Sequence, residues 1–225
     1  MSLQNIDYSV SGHLGNEDFQ IDYFKDNKRV SPWNDIPFQI GTLYSLVVEI
    51  PKFSKDKIEM SKQHPFNSLV YDLKDNCPRM YHGPINWNYG FIPQTWENPN
   101  LKKFNCGGDN DPIDVVEIGH SVLERGSIHQ VRALGCLAMI DQGEYDWKII
   151  ALNKNDKHFE NIHDIQDIHK YYPKTLNGIL EWFRWYKYPD NERLNIFELD
   201  EKFQDANFSE GIIDETHQQW ILREK

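Results

Sequence analysis

Gly107-Gly-Asp-Asn-Asp-Pro-Ile-Asp-Val-Val-Glu-Ile-Gly119 joins a crowded acidic turn to an apolar run of β type. Its three acids, Asp109, Asp111 and Asp114, fall within six residues. Carboxylates so close repel one another unless a cation stands among them. Oxygen donors alone suit hard ions such as Mg²⁺ or Mn²⁺ better than zinc. An EF-hand fits poorly, because Ile113 stands where that loop needs a ligand and no glycine follows it. The same residue types also build solvated turns, so the segment by itself leaves both readings open. Asp109 and Asp111 share a face in extended chain, whereas Asp114 faces the other way. All three converge only if the chain bends near Pro112, a residue that also biases Asp111 toward extended backbone.

Working outward, short β-type runs recur at Phe19–Phe24, Tyr44–Ile50, Lys57–Met60, Asn88–Pro93, Ile113–Ile118, Ile128–Ile140 and Trp147–Leu152. Alternation within Lys57–Met60 puts Lys57 and Glu59 on one face. Ser11–Asp18 and Lys62–Gly83 read as loops, the latter broken by Pro65, Pro78 and Gly83. Many short strands with turns between them predict a barrel or a sandwich. After Asn153 the period changes: Ile162–Tyr171, Leu176–Lys187 and Gly211–Arg223 carry helical apolar spacing, and Pro189 closes the second. The expected architecture is α+β, a β-barrel core with helices added mainly from the C-terminal third, in one domain spanning residues 1–225.

The chain has 225 residues, with 7 Trp, 11 Tyr and 12 Phe, enough to build an ordered core. A net charge of −11 argues against nucleic acid or an anionic membrane as partner. An anionic substrate would have to be met by metal ions or by a local basic cluster. The three cysteines form no CxxC pair, which fits a reducing compartment. Met1–Val10 lacks an apolar signal core and no run is long enough to span a bilayer, so a cytoplasmic protein is expected. GxSxG, the P-loop, GxGxxG and HExxH are all absent, and the nine His show no ligand spacing.

A second acidic cluster, Asp141-Gln-Gly-Glu-Tyr-Asp146-Trp-Lys148, lies between two apolar runs and reads as a hairpin tip with Gly143 in the turn. Asp141 and Asp146 would flank that tip, with Lys148 on the face of Asp146. Dispersed cations and hydroxyls complete the inventory: Lys57, Arg79, Lys187, Tyr89 and Tyr186. Each of these alone reads as surface solvation or core packing rather than as function.

Together these stretches resemble the soluble family I inorganic pyrophosphatases, in their eukaryotic-type branch. The likeness rests on Asp109-Asn-Asp111-Pro-Ile-Asp114-Val, Val47-Val-Glu49-Ile-Pro-Lys52, Asn88-Tyr89-Gly90, Pro93-Gln-Thr-Trp-Glu-Asn-Pro99, Asp141–Lys148 and Trp182-Phe183-Arg184 through Tyr186-Lys187, all in order. Ser31–Pro37 and Thr216-His217 extend it to nearly the whole chain. The resemblance implies a small closed, OB-like β-barrel with flanking helices, and Mg²⁺-dependent hydrolysis of pyrophosphate to two phosphates, with Mn²⁺ as a substitute ion. It implies that Asp109, Asp114 and Asp146 hold a first metal and that Asp114 shares a second. A hydroxide bridging the two would be the in-line nucleophile and Asp111 its general base. Asp141 with Asp146 would hold a further ion, Glu49 would contact a metal through water, and Glu59 would orient its neighbours. Lys57, Arg79, Tyr89, Lys148, Tyr186 and Lys187 would hold the phosphates, in a homodimer. Three departures stand out: Gln142 replaces an acid beside Asp141, Ile85 replaces a tyrosine before Asn-Tyr-Gly, and the segment from Glu59 to Tyr89 is short. They fit the alternative of a protein of this fold that binds metal or phosphate, or meets a partner, with little turnover.

Overall fold

A computed structural model describes residues 5–190 and 193–223. Five strands close a ring. Asn88–Phe91 lies antiparallel between Leu43–Ile50 and Asp114–Glu117. Asp114–Glu117 runs parallel to Glu144–Asn153, whose hairpin partner is Ile128–Asp141. The start of Ile128–Asp141 then returns to Leu43–Ile50, pairing Ile128 with Val47 and Val131 with Tyr44. Closure leaves these strands without the unpaired edge that an open sheet exposes. The expected barrel is therefore present.

Alternate residues of the ring strands enter two apolar clusters, as a period of two requires. Val116, Ile150 and Leu137 pack with Ile179 and Phe183 of the helix Thr175–Trp185. Their chain neighbours Val115, Ile149 and Ala138 pack with Ile212 and Ile213 of the helix Ala206–Leu222. A smaller antiparallel sheet runs in the order Ile6–Ser11, Gln20–Lys25, Leu69–Tyr71, Ile58–Met60. It carries Lys57 and Glu59 to the mouth of the ring.

Four local expectations change. Lys62–Gly83 is more than loop, because Leu69–Tyr71 pairs with both Ile58–Met60 and Gln20–Ile21. Ile6–Ser11 is a strand that the polar N-terminal composition concealed, and residues 1–4 of the Met1–Val10 stretch lie outside the described residues. The helix expected over Ile162–Tyr171 shrinks to Ile168–Tyr171, since Asp164 and Asp167 cap a 3₁₀ turn first and Pro173 follows closely. The last helix starts earlier, at Ala206, because the Asp205 carboxylate accepts the Phe208 N–H.

Glycines mark where backbones nearly touch. A Cβ on Gly108 would stand 2.4 Å from the Glu97 carbonyl, and one on Gly107 would stand 2.1 Å from the Pro99 oxygen. The Gly-Gly pair thus lets the acidic turn press against Glu97–Pro99. Gly178, inside the helix Thr175–Trp185, has nothing within 4 Å of its missing Cβ. Gly108→Ala is expected to lower stability by about 1–3 kcal/mol through overpacking, while Gly178→Ala raises it by about 0.4–1 kcal/mol. Denaturant unfolding of the two variants checks both signs.

Candidate active site

Register assembles the site. Asp114 lies opposite Lys148 on the neighbouring parallel strand, and Asp146 precedes Lys148 by two on the same face. On the other side Asp114 lies opposite Phe91, so Tyr89, two residues before Phe91, shares that face. The Lys148 ammonium reaches Asp114 Oδ2 and Asp146 Oδ1, each at 2.5 Å, and donates to the Tyr89 hydroxyl at 3.0 Å. Tyr89 in turn donates to Asp114 Oδ2 at 2.5 Å. Burial opposes the charge of Lys148, yet Asp114 and Asp146 push its pKa well above the ordinary lysine value.

The hairpin tip forms as expected. Gln142 and Gly143 both take positive φ (51° and 91°), the requirement of a two-residue I′ turn. Asp141 pairs with Glu144, and Asp146 lies opposite Met139. Asp141 and Asp146 are therefore diagonal neighbours on one face rather than a direct pair. Asp141 accepts from Lys187 at 2.6 Å and from the Tyr186 hydroxyl at 2.9 Å, which ties the tip to the end of the helix Thr175–Trp185. Gln142 sits exposed in the turn, away from the cavity.

In the acidic turn the reversal falls at Asn110, whose φ is 69°, two residues before the expected bend at Pro112. Asparagine tolerates the left-handed region and proline cannot enter it. The Asp111 N–H donates to Asp109 Oδ1 at 2.9 Å, which closes the turn. Asp109, Asp111 and Asp114 consequently face one cavity of about 270 Å³.

Seven carboxylates line that cavity (Glu49, Glu59, Asp109, Asp111, Asp114, Asp141 and Asp146) against four lysines (Lys57, Lys62, Lys148 and Lys187). Lys57 and Glu59 share a face as expected, 2.5 Å apart, and Lys57 also bonds Asp72 at 2.8 Å. Arg79 does not line the cavity; its Nη1 bonds the same Asp72 at 3.1 Å, just behind Lys57. Glu49 accepts the Met60 N–H at 2.7 Å, coupling the ring to the smaller sheet.

Sequence reasoning passed over four groups. Lys62 bonds Asp111 at 2.8 Å. Tyr81 brings its ring into the cavity edge-on to Tyr186, while Ile85 is buried core. Asp72 joins Lys57 to Arg79. Glu97, wholly buried, has a carboxylate oxygen within 4.8 Å of those of Asp109 and Asp146, a group able to hold a metal ion. Only Glu97 had a signal, since it lies in the quoted stretch Pro93–Pro99; the others arrive by tertiary contact alone.

Burial and mutual repulsion raise the acids. Burial, then Glu59 and Asp114, push Glu49 well above the usual carboxylate range. Burial, then Asp109 and Asp146, do the same to Glu97, and burial, then Asp146 and Asp111, to Asp109. Burial lifts Asp146 to about 8 against the opposing pull of Lys148. Asp111 rises to about 6, with burial outweighing Lys62 although its side chain is 40% exposed.

An acid-and-lysine cavity at the mouth of a closed strand ring offers oxygen ligands suited to hard cations beside ammonium groups suited to a small anion. Comparison with known proteins gives the family. A family model described as inorganic pyrophosphatase matches residues 46–221. A soluble inorganic pyrophosphatase of Arabidopsis thaliana, named as chloroplastic, is 44% identical over 86% of this chain and 66% of its own length. A type I inorganic pyrophosphatase from Toxoplasma gondii superimposes with a TM-score of 0.93 at 40% identity, covering 96% of this chain and 98% of that one. A truncated vacuolar soluble pyrophosphatase of Trypanosoma cruzi, solved in complex with PPi, gives a TM-score of 0.92 at 36% identity, covering 96% and 89%. The chain belongs to the inorganic pyrophosphatase family. It spans from 47% to 74% of the length of the curated relatives it matches. No helix among the described residues is long and apolar enough to cross a membrane.

A pH signature follows from the raised acids. In the cation-free folded protein Asp111 and Asp146 hold protons up to about 6 and about 8, whereas an unfolded aspartate lets go near 3.9. At these two groups the folded state binds more protons, so the stability they contribute is fully present near pH 4 and is lost as pH rises to about 8. Thermal unfolding in a chelator should show Tm falling from pH 5 to pH 8, with Mg²⁺ restoring it most at the upper end. A chelated protein most stable at pH 8 would contradict this account.

Proposed function

We propose that the protein hydrolyses inorganic pyrophosphate to two phosphates with Mg²⁺ as cofactor. The observation that carries this reading is the joint lining of one small cavity by seven carboxylates and four lysines. Carboxylates alone would repel a phosphate, and lysines alone would need no acids. The combination serves an anion that arrives with cations. Family membership and the relative solved with PPi support the same substrate.

The donor set fits Mg²⁺, because every candidate ligand is a carboxylate oxygen. Asp109, Asp114 and Asp146 would hold the inner ion, Asp114 would be shared with a second, and Asp141 with Asp146 would take a third; Glu49 would act at one remove. When bound, such ions acidify water and offset phosphate charge. The chain's own part is positioning. Lys57, Lys148 and Lys187 meet the phosphate oxygens, Tyr89 and Tyr186 donate hydroxyls to them, and Arg79, behind Lys57, steadies that lysine through Asp72. Asp111, the most exposed acid of its turn, takes the proton of the attacking water, and Glu59 keeps Lys57 oriented. Phosphoryl transfer asks for little more than such alignment and charge neutralisation.

We further infer a cytoplasmic homodimer, supported by three unpaired cysteines, Cys77 among them exposed, and by the family resemblance. Sedimentation at micromolar concentration should return twice the chain mass.

Phosphate release from pyrophosphate should require Mg²⁺ and stop with a chelator. Asp111→Asn should lower kcat by about 10²–10⁴-fold while leaving far-UV circular dichroism unchanged. Cation binding without phosphate release in the unaltered protein would favour the non-hydrolytic alternative, and full turnover in Asp111→Asn would remove Asp111 as the base.

A further inference from the structure

Glu97 is the one acid at this site that the proposed mechanism leaves unused. It is wholly buried. Its backbone is clamped to the acidic turn at two points: the Glu97 N–H donates to the Asp111 carbonyl at 2.8 Å, and the Asn110 N–H donates to the Glu97 carbonyl at 3.0 Å. Its side chain reaches across to the hairpin strand, where Oε1 accepts the Trp147 N–H at 2.9 Å beside Asp146. Glu97 therefore joins the chain segments that carry Asp109 and Asp146. Its second oxygen, Oε2, is buried without a hydrogen-bond partner among the described residues. A buried carboxylate oxygen left in that state is costly unless something positive meets it. Asp109 and Asp146 each place a carboxylate oxygen within 4.8 Å of one from Glu97.

We infer, resting on the metal-dependent reading above, that Glu97 is the rear wall of the inner cation seat: its free oxygen is satisfied by the ion between Asp109 and Asp146 or by a water of that ion's shell. Glu97 then acts as a positioning residue. It fixes the distance between the acidic turn and the hairpin strand, and it adds a negative charge that the pyrophosphate never touches. The chain makes room for it by placing glycine at Gly108, where a Cβ would collide with the Glu97 carbonyl.

The test uses the full chain, stripped of metal by a chelator, with Mn²⁺ as probe and no substrate. Glu97→Gln keeps the acceptor for the Trp147 N–H and removes only the charge. Its Mn²⁺ affinity, read by calorimetry or by electron paramagnetic resonance of free Mn²⁺, should fall about 10–100-fold, the usual cost of losing a supporting group at a metal site. Its metal-free Tm should equal or exceed that of the unaltered protein, since a neutral amide replaces an acid whose charge burial already opposes, while the rise in Tm on adding Mn²⁺ shrinks. Glu97→Asp, which keeps the charge but withdraws the oxygen, should fall between the two in affinity. Unchanged Mn²⁺ affinity in Glu97→Gln would overturn the assignment and leave Glu97 a protonated packing group. A metal-free Glu97→Gln that melts well below the unaltered protein would overturn it as well. Failure of the unaltered protein to bind Mn²⁺ would instead sink the metal-dependent reading itself, so the two failures are distinguishable.

Discussion

Like-charge repulsion at the mouth of the strand ring is the constraint around which this molecule is arranged. Two carboxylate charges 4.8 Å apart, the widest spacing within Glu97, Asp109 and Asp146, repel by about 3 kcal/mol or more at an effective dielectric of about 20. Three such pairs would consume much of the roughly 5–15 kcal/mol by which a domain is normally stable. The protein answers in two ways. Protons stay on acids that would ordinarily be ionised, as at Asp146, and lysines are threaded between acids, as Lys148 is between Asp114 and Asp146. Both answers are provisional, because proton and lysine can yield to a stronger cation. A site that is costly alone and relieved by a cation is ready to bind one.

The closed ring makes that cost bearable. Strand pairing holds Asp114, Lys148, Asp146 and Tyr89 by register rather than by flexible loops, so the acids cannot drift apart. Apolar packing on both faces of the same strands resists the repulsion: Ile150 and Val116 against Phe183, Ile149 and Val115 against Ile213. The helix Thr175–Trp185 then does double duty. Its buried face closes one core cluster, and its end delivers Tyr186 and Lys187 to Asp141.

Much of this was legible beforehand, for reasons that differ by element. Strand runs such as Leu43–Ile50 show because burial on both faces demands continuous apolar residues. The turn Asp141–Glu144 shows because only a few residue pairs adopt two positive φ angles in succession. Lys57 and Glu59 share a face because alternation is a local property. The helix at Ile162–Tyr171 was overestimated because apolar spacing does not register the competing caps of Asp164 and Asp167. The strand Leu69–Tyr71 was missed because three residues are too few to show a period. Lys62, Tyr81 and Asp72 were missed because nothing near them in the chain announces a partner more than a few positions away.

The sequence by itself determined the donor chemistry: oxygen donors in excess, a few lysines, no CxxC pair and no histidine ligand spacing, a set suited to hard cations with an anion. It also determined each local geometry, since turns and alternation depend on neighbours within a few residues. Tertiary structure alone decided which of these groups meet. Asp109, Glu97 and Asp146 come together because Gly107 and Gly108 allow two backbones to touch, and Asp114 meets Lys148 because two strands far apart in the chain lie parallel in one register. Distances between remote segments are set by packing the whole ring at once, and no window of sequence contains them.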